Sequence, residues 1–370
     1  MAMAYLVLLV NFFLFLSFFT FSTRFRLSEA QMVPAIYVFG DSLVDVGNNN
    51  YLSLSIAKAN LPHYGIDFPT KKPNGRFTNG KNAADLIAEK LGLATSPPYL
   101  SLATSLASKF NKHKASFLDG VSFASGGAGI FKGTDERYRQ SIPLTKQVDY
   151  YSKVYEEMKQ ELAYSDLQLH LSKSIFAVVI GSNDFFDYFG SSKKNSTPQQ
   201  FVDSMVFTLK EQLKRIYEFG GRKFMFVGVG AIGCCPSIRV KNKTEECNAE
   251  MNYWSVKYNE GLNSMLKEWK MQLKDINYSY FDTYNAMQNL IQNPASYGFA
   301  EIKAACCGIG ELRAKGPCLP ISSYCSNRED HIFWDEYHPT ESAYRILVDA
   351  IFGGSSKYAF PITIRQLIAV

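Results

Sequence analysis

Four short runs made almost wholly of apolar residues punctuate this chain, at 35–39, 175–180, 223–227 and 278–281. None shows the polar alternation of a half-solvated strand, and none is long enough for an ordinary helix. That is the pattern of strands buried on both faces. The stretches between them repeat their apolar residues at three- and four-residue spacing instead. Residues 82–91 do so through Ala83, Leu86 and Ile87, with Gly92 placed to stop a helix. Residues 145–171 predict one long amphipathic helix, with Val148, Tyr151, Val154, Tyr155, Met158 and Leu162 along one face. Further helices are predicted over 198–219 and 248–273, and a last one begins near Pro339 and carries Tyr344, Leu347, Val348 and Ile351. Two-sided buried strands alternating with helices predict an α/β fold, a parallel sheet covered by helices on both faces. No Pro/Ser-rich linker, composition break or internal repeat divides it, so residues 31–370 read as one domain.

Residues 1–30 stand apart. A nearly uncharged apolar run extends from Met1 to Phe21 and is followed by Arg24, Arg26 and Ser28-Glu29-Ala30. Small residues at Ser28 and Ala30 fit signal-peptidase cleavage, so 1–30 reads as a secretory signal peptide. A run this long would also span a bilayer, and a retained anchor is the alternative. No later segment is apolar enough to span, so no membrane insertion is expected once the signal is cleaved. Secretion implies oxidising surroundings. All seven cysteines lie beyond residue 230: Cys234, Cys235, Cys247, Cys306, Cys307, Cys318 and Cys325. They form no C-x-x-C pair and have no histidine at zinc-finger spacing, so two or three disulfides are predicted, with one thiol left over. Asn195, Asn242 and Asn277 open N-x-[ST] sequons and are candidate glycosylation acceptors on that route. A formal charge of +5 over 370 residues is too mild to indicate a nucleic-acid partner. Nothing in the sequence bears on oligomeric state.

In a sheet of this kind, functional residues collect at the carboxyl ends of the strands. The first run ends in Gly40-Asp41-Ser42, which places a hydroxyl at a cleft unless Ser42 merely bonds within its own turn. The second ends in Gly181-Ser182-Asn183-Asp184, a polar cluster on a buried strand or else an Asx-type turn. A nucleophilic serine needs a base, and there are five histidines. His113, between Lys112 and Lys114, and His170, closing a polar helix, read as solvated surface residues. His63 has only Asp67 nearby. His338 differs, because Asp335 precedes it by one turn and Pro339 keeps it off helical backbone. A carboxylate that accepts from one ring nitrogen leaves the other free to take a serine proton. The order Ser…Asp…His suits a hydrolase, although no G-x-S-x-G elbow surrounds Ser42. Gly228-Val229-Gly230-Ala231-Ile232-Gly233 fits a dinucleotide fingerprint. Its third glycine is followed by Cys234-Cys235-Pro236 instead of opening a helix, so NAD binding is not expected.

Taken in order, Gly40-Asp41-Ser42-Leu43, Ser125-Gly126-Gly127-Ala128-Gly129, Gly181-Ser182-Asn183-Asp184 and Asp335-Glu336-Tyr337-His338-Pro339 resemble the blocks of GDSL esterases/lipases of the SGNH-hydrolase superfamily. Val44-Asp45-Val46-Gly47-Asn48-Asn49, Gly75-Arg76-Phe77-Thr78-Asn79-Gly80 and Cys306-Cys307-Gly308 are similar to its plant secreted branch. The resemblance covers residues 31–370. It implies a single-domain, flavodoxin-like three-layer α/β/α sandwich with a parallel central sheet. It also implies Ser42 as nucleophile, His338 as base and then acid, and Asp335 as the residue that orients His338. The implied oxyanion hole combines the Ser42 N–H, an N–H from Gly127 (or its neighbour Gly126) and the Asn183 amide. Ser122, where many relatives carry Asn, departs from the pattern without touching these residues. The implied activity is hydrolysis of small-molecule or lipid carboxylic esters outside the cell, in the cell wall or apoplast, without metal or organic cofactor. Acyl transfer, removal of acetyl groups from wall carbohydrate and an inactive binding glycoprotein are the alternatives.

Overall fold

The computed structural model describes residues 31–107, 116–134, 136–192, 194–353 and 357–370. The expected signal peptide, 1–30, and His113 lie outside the described residues. The four apolar runs form β1 (Ile36–Gly40), β3 (Ile175–Val179), β4 (Lys223–Val227) and β5 (Asn277–Phe281). Two strands too short for any periodicity, β2 (Gly120–Ser122) and β10 (Ala359–Pro361), complete a six-stranded sheet. Its order is β10-β5-β4-β3-β1-β2, and every pairing is parallel except that of β10 with β5. Stripped of β10, this is the flavodoxin order 2-1-3-4-5, and its switch point lies between β1 and β3.

Alternation along the strands divides the core into two. Tyr37, Phe39, Phe176, Val178, Phe224 and Phe226 pack with helices Leu144–Met158, Pro198–Glu218 and Ala249–Gln272. Ile36, Val38, Ile175, Ala177 and Met225 pack on the other face with helices Ala83–Lys90, Glu341–Gly353 and Ile364–Ala369. The result is three layers.

The expectation of one helix over 145–171 is corrected. The helix stops at Met158, and a second one, Tyr164–Lys173, follows Ala163 in extended backbone. Leu162 continues the apolar stripe in sequence, but the intervening Lys159-Gln160-Glu161 gives that turn no apolar side chain to bury. A second axis then carries Leu167 and Leu171 into the same core. His170 is also more enclosed than its polar surroundings suggest. It is half-buried with Nε2 3.4 Å from the Tyr37 hydroxyl, and burial holds its imidazole below the usual value.

The cysteine-rich region between β5 and the last helices contains two small sheets, β6 (Glu301–Ala305) with β9 (His331–Phe333) and β7 (Cys307–Gly308) with β8 (Ser323–Tyr324). Disulfides join Cys306 to Cys325 and Cys307 to Cys318 there, and Cys234 to Cys247 beside β4. Cys235 is the buried free thiol. These bridges close loops that have little apolar surface of their own, and β9 leads directly into Trp334 and Asp335.

Candidate active site

Ser42 stands two residues beyond the end of β1. Gly40 is needed there, since a Cβ on it would lie 2.5 Å from the carbonyl oxygen of Val179 on β3. Gln147 clamps this glycine from the neighbouring helix. The Gly40 N–H donates to its Oε1 and its Nε2 donates to the Gly40 carbonyl, both at 2.8 Å. Asp41 then turns the chain, its Oδ1 accepting from Leu43 N–H at 3.0 Å and its carbonyl from Val44 N–H at 3.3 Å. Burial pushes the Asp41 carboxyl up to about 7, against the Leu43 N–H and His338, which hold it down. Ser42 is buried at the apex of this turn.

The hydroxyl of Ser42 meets His338 Nε2 at 2.7 Å across 296 residues of sequence. The other ring nitrogen, Nδ1, lies 2.7 and 2.8 Å from the two oxygens of Asp335. An ionised carboxylate only accepts, so the Nδ1 proton points to Asp335 and Nε2 is left to accept from Ser42. Asp335 also accepts from the backbone N–H groups of Tyr337 and His338, each at 2.9 Å, and from the Tyr64 hydroxyl at 2.9 Å. Burial alone would raise its pKa, but His338 and the two backbone N–H groups outweigh burial and hold the carboxyl below its usual range. For His338 the contest runs the other way. Burial would lower the imidazole, the adjacent Asp335 outweighs it, and the net direction is up. The turn itself is closed by Trp334 N–H on the His338 carbonyl at 2.7 Å.

The two remaining blocks line the same cleft as Ser42. Gly126 and Gly127 were equivalent by sequence, and the structure separates them. The Gly126 N–H donates to Asp45 Oδ2 at 3.0 Å, whereas Gly127 lines the cleft with φ +78°, a conformation favouring glycine. Among the described residues no acceptor takes the N–H of Ser42 or of Gly127. Asn183, at the start of helix Ser182–Gly190, also lines the cleft. One hydrogen of its amide donates to the Ala128 carbonyl at 2.9 Å, which fixes the group and leaves the second hydrogen available. Asp184 accepts from the N–H groups of Ile130 and Phe131 and from the Thr134 hydroxyl, tying the Gly127 loop to β3.

Several residues that support this geometry carry no signal in spacing or periodicity. Tyr64 lies 271 residues from the carboxylate it touches. Asp45 accepts from the N–H groups of Gly47 and Asn48 as well as Gly126, and Asn48 and Asn49 donate to the carbonyls of Ser122, Ala124 and Gly126. The stretch after the nucleophile turn is therefore a buried brace joining it to the Gly127 loop. The Gly75–Gly80 segment braces the histidine side. Thr78 donates to the Pro339 carbonyl at 2.9 Å, Asn79 accepts from Glu341 N–H at 2.9 Å, and the Phe77 ring lies 5.1 Å from that of His338. Arg76, paired bidentately with Asp85 at 2.6 and 2.7 Å, anchors this segment to helix Ala83–Lys90.

The other sequence candidates fall elsewhere. His63 bonds the Pro320 carbonyl at 3.2 Å and stands apart from Ser42. Residues 228–233 approach the cleft as an irregular loop ending in a one-turn 3-10 helix. Asn195 and Asn242 are exposed, whereas Asn277 begins β5 half-buried with its Oδ1 accepting from Lys270 at 3.2 Å. Among the described residues no three His, Cys, Asp or Glu side chains gather as a metal site, and no helix is long and apolar enough to cross a membrane.

A parallel sheet of flavodoxin order, with a serine–histidine–carboxylate relay at its switch point, defines a class of α/β hydrolytic enzymes. Comparison with known proteins narrows the class. The model of the GDSL-like lipase/acylhydrolase family matches residues 36–351, and the chain belongs to that family. A GDSL esterase/lipase of Arabidopsis thaliana is 55% identical over 342 residues, covering 91% of this chain and 90% of its own. Two others from the same plant are 37% and 38% identical, covering 92% and 94% of this chain and 94% and 96% of theirs. The protein is a carboxylic ester hydrolase.

Proposed function

We propose that this chain is a secreted serine esterase that cleaves acyl esters, with a role in lipid degradation, through an acyl-enzyme formed on Ser42. The observation that carries the reading is the unbroken relay from Ser42 Oγ through His338 to Asp335, opening on a cleft with Gly127 and Asn183 at its edge. In the first step Ser42 Oγ bonds to the ester carbonyl carbon and its proton passes to His338 Nε2. The charge on the carbonyl oxygen meets the Ser42 and Gly127 N–H groups and the Asn183 amide. Fixed donors of this kind need no reorganisation as charge develops, and each contributes about 10²–10³ in rate. His338 then protonates the leaving alcohol. Water repeats the sequence on the acyl-enzyme and releases the acid. Asp335 stays ionised throughout, which keeps the imidazolium stabilised and the ring in its working tautomer. Three disulfides support an oxidising compartment, with 1–30 removed as a signal peptide and Asn195 and Asn242 as the better exposed glycosylation acceptors.

A fluorophosphonate probe tests the nucleophile. Wild type is expected to label stoichiometrically on Ser42 and Ser42→Ala not at all; an unlabelled wild type would leave a binding glycoprotein as the better reading. Product analysis with an added alcohol separates hydrolysis from acyl transfer, and net release of acid is expected.

Glu336 gives the pH profile a second handle. Burial and the neighbouring Asp335 push its carboxyl up to about 7, so it gains its charge only as the pH rises through that value. Ionised Glu336 favours the imidazolium and so holds His338 up. Only neutral His338 can accept the Ser42 proton, so activity falls as pH drops through the His338 value. Removing the Glu336 charge lets His338 deprotonate at lower pH, and the acid limb of kcat/KM in Glu336→Gln is expected to move down. An unmoved or upward-shifted limb would show that Glu336 does not act on His338.

A further inference from the structure

The cleft holding Ser42 encloses about 350 Å³ and does not end at the relay. Gly40, Val179, Val227 and Phe281 are register partners across β1, β3, β4 and β5, so they form one row at the carboxyl edge of the sheet. Three strand spacings of ~4.8 Å carry that row about 14 Å from the nucleophile turn. Val179, Val227 and Phe281 all line the cavity. So do Leu347, Val348 and Ile351, which share one face of helix Glu341–Gly353 at three- and four-residue spacing. Phe281, Val348 and Ile351 are 2–3% exposed, so this limb lies inside the protein.

Protein interiors rarely leave space of this kind, because every void forfeits contacts on its lining. An apolar void continuous with a reactive serine is space reserved for an apolar group attached to the reacting carbonyl. Two polar atoms of the lining that are buried without a protein partner, Asp41 Oδ2 and Tyr344 Oη, mark that direction. Asp41 adjoins Ser42, and Tyr344 lies near enough to Asp41 and Asp335 for their charges to act on it. Both therefore stand at the Ser42 end, beside the ester group, and the side chains beyond them are apolar apart from Thr283, whose hydroxyl donates to the Phe281 carbonyl.

We propose that this inner limb, between the carboxyl edge of β3–β5 and helix Glu341–Gly353, holds the substrate's acyl chain and makes the enzyme selective for medium and longer aliphatic acyl esters over acetyl esters. The proposal rests on Ser42 as the nucleophile. The alcohol half of the ester leaves toward the open mouth, where Ile56, Leu61 and Leu319 line the rim.

The test is kcat/KM for p-nitrophenyl acetate, butyrate, hexanoate, octanoate and decanoate. In wild type the value is expected to rise about three- to fourfold per added methylene, the kinetic equivalent of ~0.8 kcal/mol for each CH₂ buried, until the limb is full. Val348→Trp and Ile351→Trp block the limb, and the octanoate-to-acetate ratio is expected to fall about a hundredfold, four lost methylene contacts at three- to fourfold each. Ile351→Ala lengthens the limb and moves the optimum to longer chains, which keeps the test open if the tryptophan variants do not fold. A flat or acetate-preferring wild-type profile would overturn the proposal. So would a folded tryptophan variant with an unchanged ratio. Failure of wild type to cleave any ester would overturn the nucleophile assignment, and the limb proposal with it.

Discussion

Ser42→Ala and His338→Ala are each expected to give a folded protein whose turnover of carboxylic esters falls by about five to six orders of magnitude. The serine hydroxyl is small and lines the cleft with His338, so Ser42→Ala removes one hydrogen bond and little packing, and the melting temperature is expected to stay nearly unchanged. His338→Ala removes the ring that packs on Phe77 and pairs with Asp335. The carboxylate keeps three donors, the N–H groups of residues 337 and 338 and the Tyr64 hydroxyl, so the expected loss of stability is only about 1–3 kcal/mol. In the proposed mechanism serine and histidine act as one unit, since neither the nucleophile without its base nor the base without its nucleophile forms an acyl-enzyme. The double variant is therefore no slower than either single one. Residual activity in all three is expected to come from the donors proposed for the oxyanion position. Steady-state rates on purified variants, with circular dichroism to verify the fold, check the expectation. A single variant within tenfold of wild type would exclude that residue from the bond-making step.

How much of this was legible in the sequence follows from the range of the forces involved. The strands of the sheet that are four or five residues long announced themselves, because a strand covered on both faces must be apolar at every position. β2 and β10 did not, since three residues have no readable period and are held by neighbours distant in sequence. The break after Met158 was hidden for a related reason. A stripe ending in Leu162 satisfies helical spacing, yet where the chain changes axis depends on what the core can receive. Asp335 and His338 were readable together because one turn of chain links them. Their meeting with Ser42 was an inference from strand ends and elimination among five histidines. Tyr64 and Gln147 were not readable, and Asp45–Asn49 was readable as a block but not as a brace, because each acts through a contact set by tertiary packing. Gly126 and Gly127 could not be told apart by residue type; the acceptor on Asp45 distinguishes them.

Asp335→Asn is expected to lower turnover by about 10⁴ while leaving the backbone of the turn in place. The wild-type carboxylate faces donors only: His338 Nδ1–H, two backbone N–H groups and the Tyr64 hydroxyl. Four donors suit a group with two oxygens and no proton. An asparagine has one oxygen, and the two backbone N–H groups both point to the Oδ1 position. The carbonyl oxygen therefore keeps that position, and the NH₂ takes the place of Oδ2, against Tyr64 and the second contact to Nδ1. Tyr64 can rotate its hydroxyl and accept. The imidazole escapes the clash by moving its proton from Nδ1 to Nε2, and a ring protonated on Nε2 cannot accept from Ser42. The loss is thus one of tautomer, with the distances nearly unchanged. Losing the negative charge also removes the largest influence holding the His338 pKa up, so the remaining activity should persist to lower pH than in wild type. Tyr64→Phe separates the two effects, since it withdraws one donor but keeps the charge and the tautomer. Its loss should be no more than about tenfold, the order of one neutral-to-charged hydrogen bond. Rates and pH profiles of the two variants side by side decide the matter. An Asp335→Asn enzyme as active as Tyr64→Phe would mean that the carboxylate only positions the loop.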